Sequence, residues 1–124
     1  MTTKTYPTDV ALSVASGKNL CENFADIHEA VTDLAGWPVM THHMANRELT
    51  DGVAAKVIRQ VSWMPGAIEN MPTFPRGPKA ETMVRNYTAL IAETCGPTVT
   101  VELGEPLPAL GLLAGLEHLV DGTR

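Results

Sequence analysis

Positive charge is scarce in this chain. Nine Lys and Arg stand against fourteen Asp and Glu, for a net charge of −5. Neither half is basic, and Lys and Arg nowhere cluster. Binding to a phosphate backbone needs such clusters, so direct contact with nucleic acid is not expected. Aromatic residues are equally rare, at 5%. The core must therefore be aliphatic, with little room for an enclosed pocket. The two cysteines, Cys21 and Cys95, form no C-x-x-C pair. That argues against a structural zinc site and against a disulfide framework. The first ten residues, "MTTKTYPTDV", lack the apolar stretch of a secretion signal. No apolar run is long enough to cross a bilayer. The expected location is the cytoplasm, with reduced thiols and no membrane contact. Several catalytic signatures are missing too: Gly-x-Ser-x-Gly, a glycine-rich phosphate loop, H-E-x-x-H and H-x-H.

What is present suits one folded domain spanning 1–124. Apolar residues make up 44%, and there is no repeat, low-complexity segment or linker. "TDVALSVASG" (8–17) alternates Val10, Leu12 and Val14 with Ala11, Ser13 and Ala15, which reads as a strand. Gly17 ends it in a turn that requires positive φ. "ENFADIHEAVTDLAG" (22–36) is the clearest helix. Asn23 caps it, Phe24, Ile27, Val31 and Leu34 form its inner stripe, and Gly36 closes it. A second helix covers 46–61, with Asn46 as cap and Leu49, Val53, Val57 and Val61 inward. Residues 62–78, with four prolines, form a long connection. A third helix covers 77–96, from Pro78 to Gly96, with Met83, Tyr87, Leu90, Ile91 and Thr94 on its inner face. "TVTVEL" (98–103) is a second strand with Val99, Val101 and Leu103 on one side. "PALGLLAGLEHLV" (108–120) is a fourth helix, apolar nearly all round. The expected fold is α+β or small α/β: a helix-dominated single domain with about four helices and a small two-stranded β element.

Three stretches attract functional attention. The first is "WPVMTHHMANRE" (37–48). Neutral imidazole is a good metal ligand, and His42 and His43 with His28 make a candidate metal set. Adjacent residues of an extended segment point to opposite sides, however. The preferred reading is structural: Thr41 and His42 satisfy backbone groups freed where the chain turns after Gly36, and His43 matters less. No cofactor or metal is expected on that reading.

The second is an acidic ridge. Glu22, Asp26, Glu29 and Asp33 are spaced four, three and four apart, so they share the helix face opposite the apolar stripe. Like charges at these spacings repel unless something relieves them. A basic partner surface would do so. Reversing Asp26, Glu29 and Asp33 to Lys should then keep the fold and abolish binding. The third is the 62–78 connection, whose Trp63, Met64 and Phe74 are candidate interface anchors or a cap on the core.

"ALSVASGKNL", "IHEAVTDLAGWPVMTHHM" and "CGPTVTVELGEPL" together resemble a family of small phage and prophage accessory proteins of unassigned activity. Its pattern is a strand ending in Thr-Gly, a helix leading to a Gly, a Thr-His pair, and a late Gly before a short strand. The matching residues are Ser16–Gly17, Gly36, Thr41–His42–His43–Met44 and Gly96 before Val99–Val101. Two positions depart from it: Ser16 replaces Thr, and His43 replaces Gln or Glu. The resemblance implies a phage-type protein in the host cytoplasm that binds a host protein. Gene setting further suggests a counter-defence, anti-CRISPR-like inhibitor that covers a basic surface of a nucleic-acid-binding or defence complex. The residues also leave open a small metal- or thiol-dependent enzyme using His28, His42 and His43. A structural homodimer joined through the 108–120 helix is a third reading.

Overall fold

The computed structural model describes residues 2–107. The chain begins with strand β1 (Thr3–Pro7), followed without a break by helix α1 (Thr8–Ser16). Helix α2 (Phe24–Ala35) leads through a 3-10 turn (Thr41–Ala45) into helix α3 (Arg47–Gln60). A short helix α4 (Met64–Glu69), the long helix α5 (Pro78–Cys95) and strand β2 (Thr98–Glu102) complete it. The strands form one antiparallel pair, with Thr3 opposite Glu102 and Pro7 opposite Thr98. The helix-dominated α+β expectation holds. The expected 108–120 helix lies outside the described residues.

The segment expected to be the first strand is helix α1. It is the centre of the molecule, packing on α2, α3, α4, α5 and both strands. Every residue from Val10 to Ala15 is buried. A helix enclosed on all sides has no polar face, so its sequence loses the 3.6-residue signal, and the incidental alternation of large and small residues imitates a strand. Gly17 does take a left-handed conformation (φ 74°), but as the residue that closes α1 by donating to Ser13 O. The actual first strand lies upstream. In β1 only Tyr6 is buried, so its sequence carries almost no hydrophobic pattern.

Helix α2 has the expected ends. Asn23 accepts from the Ala25 amide, and Gly36 is left-handed (φ 82°). Ile27, Val31 and Leu34 are buried, but Phe24, the first residue of the helix, is 41% exposed. Helix α3 starts on Asn46, whose side chain accepts from the Leu49 amide, and buries Leu49, Val53 and Val57. Within the 62–78 connection, Met64, Pro65 and Gly66 begin the unexpected turn of α4. Helix α5 is unusual: 18 residues long, it has no buried side chain. Its expected inward residues Met83, Tyr87 and Ile91 are half-buried, while Leu90 is 55% exposed and Thr94 also faces solvent. Gly96 follows it with positive φ (115°) but an extended ψ, so it starts the β2 approach rather than forming a left-handed cap. In β2, Val99 and Val101 are buried and Leu103 beyond it is half-buried.

Candidate functional site

The bend between α2 and α3 is held by histidines, but not by the expected ones. Thr41 and His42 are exposed. His28, from the middle of α2, hydrogen-bonds the Val39 carbonyl through Nε2. A carbonyl only accepts, so Nε2 donates. His43 accepts the Met40 amide at Nδ1 (3.0 Å) and stands edge-on to Trp37. The structural role assigned to Thr41 and His42 therefore belongs to His28 and His43. His42 stacks edge-on against His43 (centroids 4.2 Å) and faces water. Each of the two structural imidazoles has one nitrogen committed to backbone. Among the described residues, no three His, Cys, Asp or Glu side chains gather as a metal would require.

The acidic ridge divides into two parts. Glu22, Asp26 and Glu29 are exposed, whereas Asp33 is half-buried and already paired. Lys4 of β1 donates to Asp33 Oδ2 and lies 3.9 Å from Glu29. Tyr6 donates to the same Asp33 oxygen at 3.0 Å. This cation comes from a distant strand, so the helix sequence alone shows no relief of the repulsion. Asp33 raises the Lys4 ammonium above its ordinary value. Burial first, and then the Asp33 carboxylate, pushes the Tyr6 phenol well above its own. Asp33 is thus the anchor of β1 on α2, and replacing it with Lys would set two cations together. Its reversal to Lys is therefore expected to unseat β1, not to spare the fold.

Toward the start of α2 the ridge enters a cleft of about 710 Å³ between α2 and α5. Glu22 and Asp26 line one wall, Glu81 and Arg85 the other, and Asp9 of α1 and Cys21 complete it. Among the described residues its lining thus holds four carboxylates and one guanidinium. Asp9, Glu81 and Arg85 had no signal in the sequence, because the fold brings them to the start of α2 from two other elements, α1 and α5. The Cys21 thiol is pushed up to about 11, chiefly by burial and against the lowering effect of its hydrogen bond with Ser13. At neutral pH it is a thiol and a poor nucleophile.

The interface anchors expected in 62–78 are mostly core. Met64 is 0% exposed and cannot meet a partner. Trp63 and Phe74 are half-buried against the core, Phe74 edge-on to Tyr87. Tyr87 in turn donates to the Ala67 carbonyl and so ties α5 to α4.

One residue overlooked in the sequence dominates the other side of the molecule. Lys56 of α3 is only 6% exposed, and its ammonium donates to the carbonyls of Leu34, Leu103 and Glu105 at 2.7, 2.6 and 2.5 Å. Leu34 is in the last turn of α2, which has no basic residue of its own. Lys56 supplies the missing positive end-group from the neighbouring helix. Burial lowers its pKa, Arg59 adds to that, and Glu105 opposes it.

Among the described residues, no helix is long and apolar enough to cross a membrane. No curated protein and no solved structure matches the chain. Residues 6–67 match the family described as a domain of unknown function, DUF7736. The match runs from the last residues of β1 into α4, taking in the His bend, Lys56 and the α2 wall of the cleft. It covers half of the 124 residues, so the chain belongs to the DUF7736 family.

Proposed function

We propose that the protein acts by binding, using the exposed acids of α2 and the adjoining cleft to dock a basic protein surface. The cleft carries this reading: Glu22 and Asp26 line it together with Asp9 and Glu81 from two other elements, with Arg85 as the one cation among the described lining residues. Concentrated negative charge in a concave surface attracts basic groups and speeds their encounter. Catalysis has less support. His28 and His43 are spent on backbone, and the Cys21 thiol is held far from ionisation. The resemblance to phage and prophage accessory proteins makes a host protein the partner to seek, with a defence complex as the first candidate.

The test is capture from host lysate with the full chain and with Glu22→Lys/Asp26→Lys/Glu29→Gln. These three side chains are exposed, so the circular dichroism of the variant should match the original. Asp33 is left intact because β1 depends on it. The expected result is a specific partner that is released by added salt and absent from the variant's eluate. Equal capture by a folded variant would sink the proposal.

A further inference from the structure

Residues 96–107 lie along the rest of the molecule as an extended arm, and nearly all their backbone contacts go to residues 2–60. The Gly96 carbonyl accepts from Thr8 Oγ1 (2.6 Å), and the Pro97 carbonyl from the Thr8 amide (3.0 Å). Residues 98–102 pair with β1. The Gln60 side chain then reads Glu102 from both sides, accepting its N–H at 2.7 Å and donating to its C=O at 2.9 Å. Leu103 donates to the Thr2 carbonyl (2.9 Å). Lys56 takes the carbonyls of Leu103 and Glu105. Leu107 donates to the Ala35 carbonyl (2.7 Å) and accepts from Trp37 Nε1 (3.0 Å).

The receiving surface is shaped for this arm. A Cβ on Gly36 would stand 2.8 Å from Pro106, and one on Gly52 would stand 2.9 Å from Leu107 Cδ1. At Gly36 the clash is with Pro106 backbone, so that position must stay bare for the arm to lie down; at Gly52 the Leu107 side-chain end would have to move aside. Val99 and Val101 supply the buried side chains. Recognition thus has the form of strand addition: main-chain hydrogen bonds backed by pockets for alternate side chains. The receiving residues Thr8, Ala35, Gly36, Trp37, Gly52, Lys56 and Gln60 all lie in the span that defines the family, and the arm lies beyond it. The arm reaches this surface through α5, which buries no side chain and follows the Pro72–Pro75 connection.

We infer that the β1–Gln60–Lys56–Trp37 groove is a binding site for an extended segment, and that the 96–107 arm of a second copy of this chain can occupy it. An arm from another copy makes the same contacts, and α5 gives up only half-buried side chains, Val84, Tyr87 and Ile91, when it swings away. The inference stands apart from the acidic cleft and does not depend on its role.

Complementation between two full-length variants tests it. One carries Lys56→Met and Gln60→Ala, with a damaged groove and an intact arm. The other carries Val99→Asp and Val101→Asp, with an intact groove and a damaged arm. Co-refolded together, they should form a heterodimer of twice the chain mass, melting above either variant alone. If either variant fails to fold by itself, recovery of helical circular dichroism on mixing gives the same answer. A mixture that behaves as the sum of its parts overturns the inference. So does an equal gain when two groove-damaged chains, carrying different tags, are mixed.

Discussion

Replacing Lys56 with Met keeps the aliphatic stem and removes only the ammonium. The Leu34 carbonyl is then left buried without its donor, and those of Leu103 and Glu105 lose theirs in partly buried positions. A buried group stripped of its partner costs about 1–3 kcal/mol, and more when the lost partner was charged. Full weight for Leu34 and the lower end for the other two gives about 4 kcal/mol. The variant no longer buries a charge, which returns part of this, leaving about 3 kcal/mol. Replacing a buried ion pair with apolar residues is often harmless because both charges go. Here the partners are peptide carbonyls, which no substitution removes. At about 4 °C per kcal/mol for a domain of this size, the melting temperature should drop by about 12 °C. Urea unfolding gives the free energy, and an unchanged denaturant slope would show that the same surface unfolds. Arg59→Met is the control: it removes an exposed charge from the same helix and should stay within about 0.5 kcal/mol. A Lys56→Met protein as stable as the control would refute the three-carbonyl account.

Two further outcomes follow from the titrating groups. Cys21 should alkylate slowly: with its pKa at about 11 instead of 9.0, the thiolate fraction at pH 8 is about a hundredfold lower. Iodoacetamide kinetics in a Cys95→Ser chain measure this, and a rate equal to that of a cysteine peptide would contradict the burial. Stability should also fall in alkali. Tyr6 and Cys21 have folded values above their unfolded values of 10.0 and 9.0, so the unfolded chain loses these protons first. Their contribution is complete below pH 9 and declines as pH rises through the folded values. Lys56, shifted downward, has the opposite sign in the window below 10.5. Urea melts at pH 8 and pH 11 should show a net loss that Tyr6→Phe reduces, whereas a flat profile would contradict the direction of these shifts.

The helices with one wet face were legible from the sequence, ends included. Asn23, Gly36 and Asn46 act locally, through hydrogen bonds and backbone angles within a few residues of themselves. The central helix was not legible, because burial on every side erases the pattern that would reveal it. Strand β1 was not legible for the opposite reason. Thr3, Thr5 and Pro7 are exposed, and its place is fixed by pairing with residues almost a hundred positions away.

The same division between local and distant causes explains the site. The spacing of Asp26, Glu29 and Asp33 correctly put them on one helix, whereas Glu22 lies before its Asn23 cap, and only the fold separates the exposed acids from Asp33, since Lys4 and Tyr6 arrive from β1. At the His bend the sequence named the right segment and the wrong side chains: a 3-10 turn points His43, not His42, back at the Met40 amide. Lys56 did leave a trace. It stands seven residues after Leu49 and three after Val53, squarely on the inner stripe of α3, where a charged residue demands partners. Read that way, a lysine at an apolar position predicts acceptors converging from elsewhere in the chain. Those acceptors are backbone carbonyls, which leave no mark in any sequence, so the demand was visible in "AAKVI" while its answer was not. Gly36 fits the same logic: it was legible as a helix end, but the close approach of the Pro106 backbone, which also requires a bare position there, appears only with the folded arm.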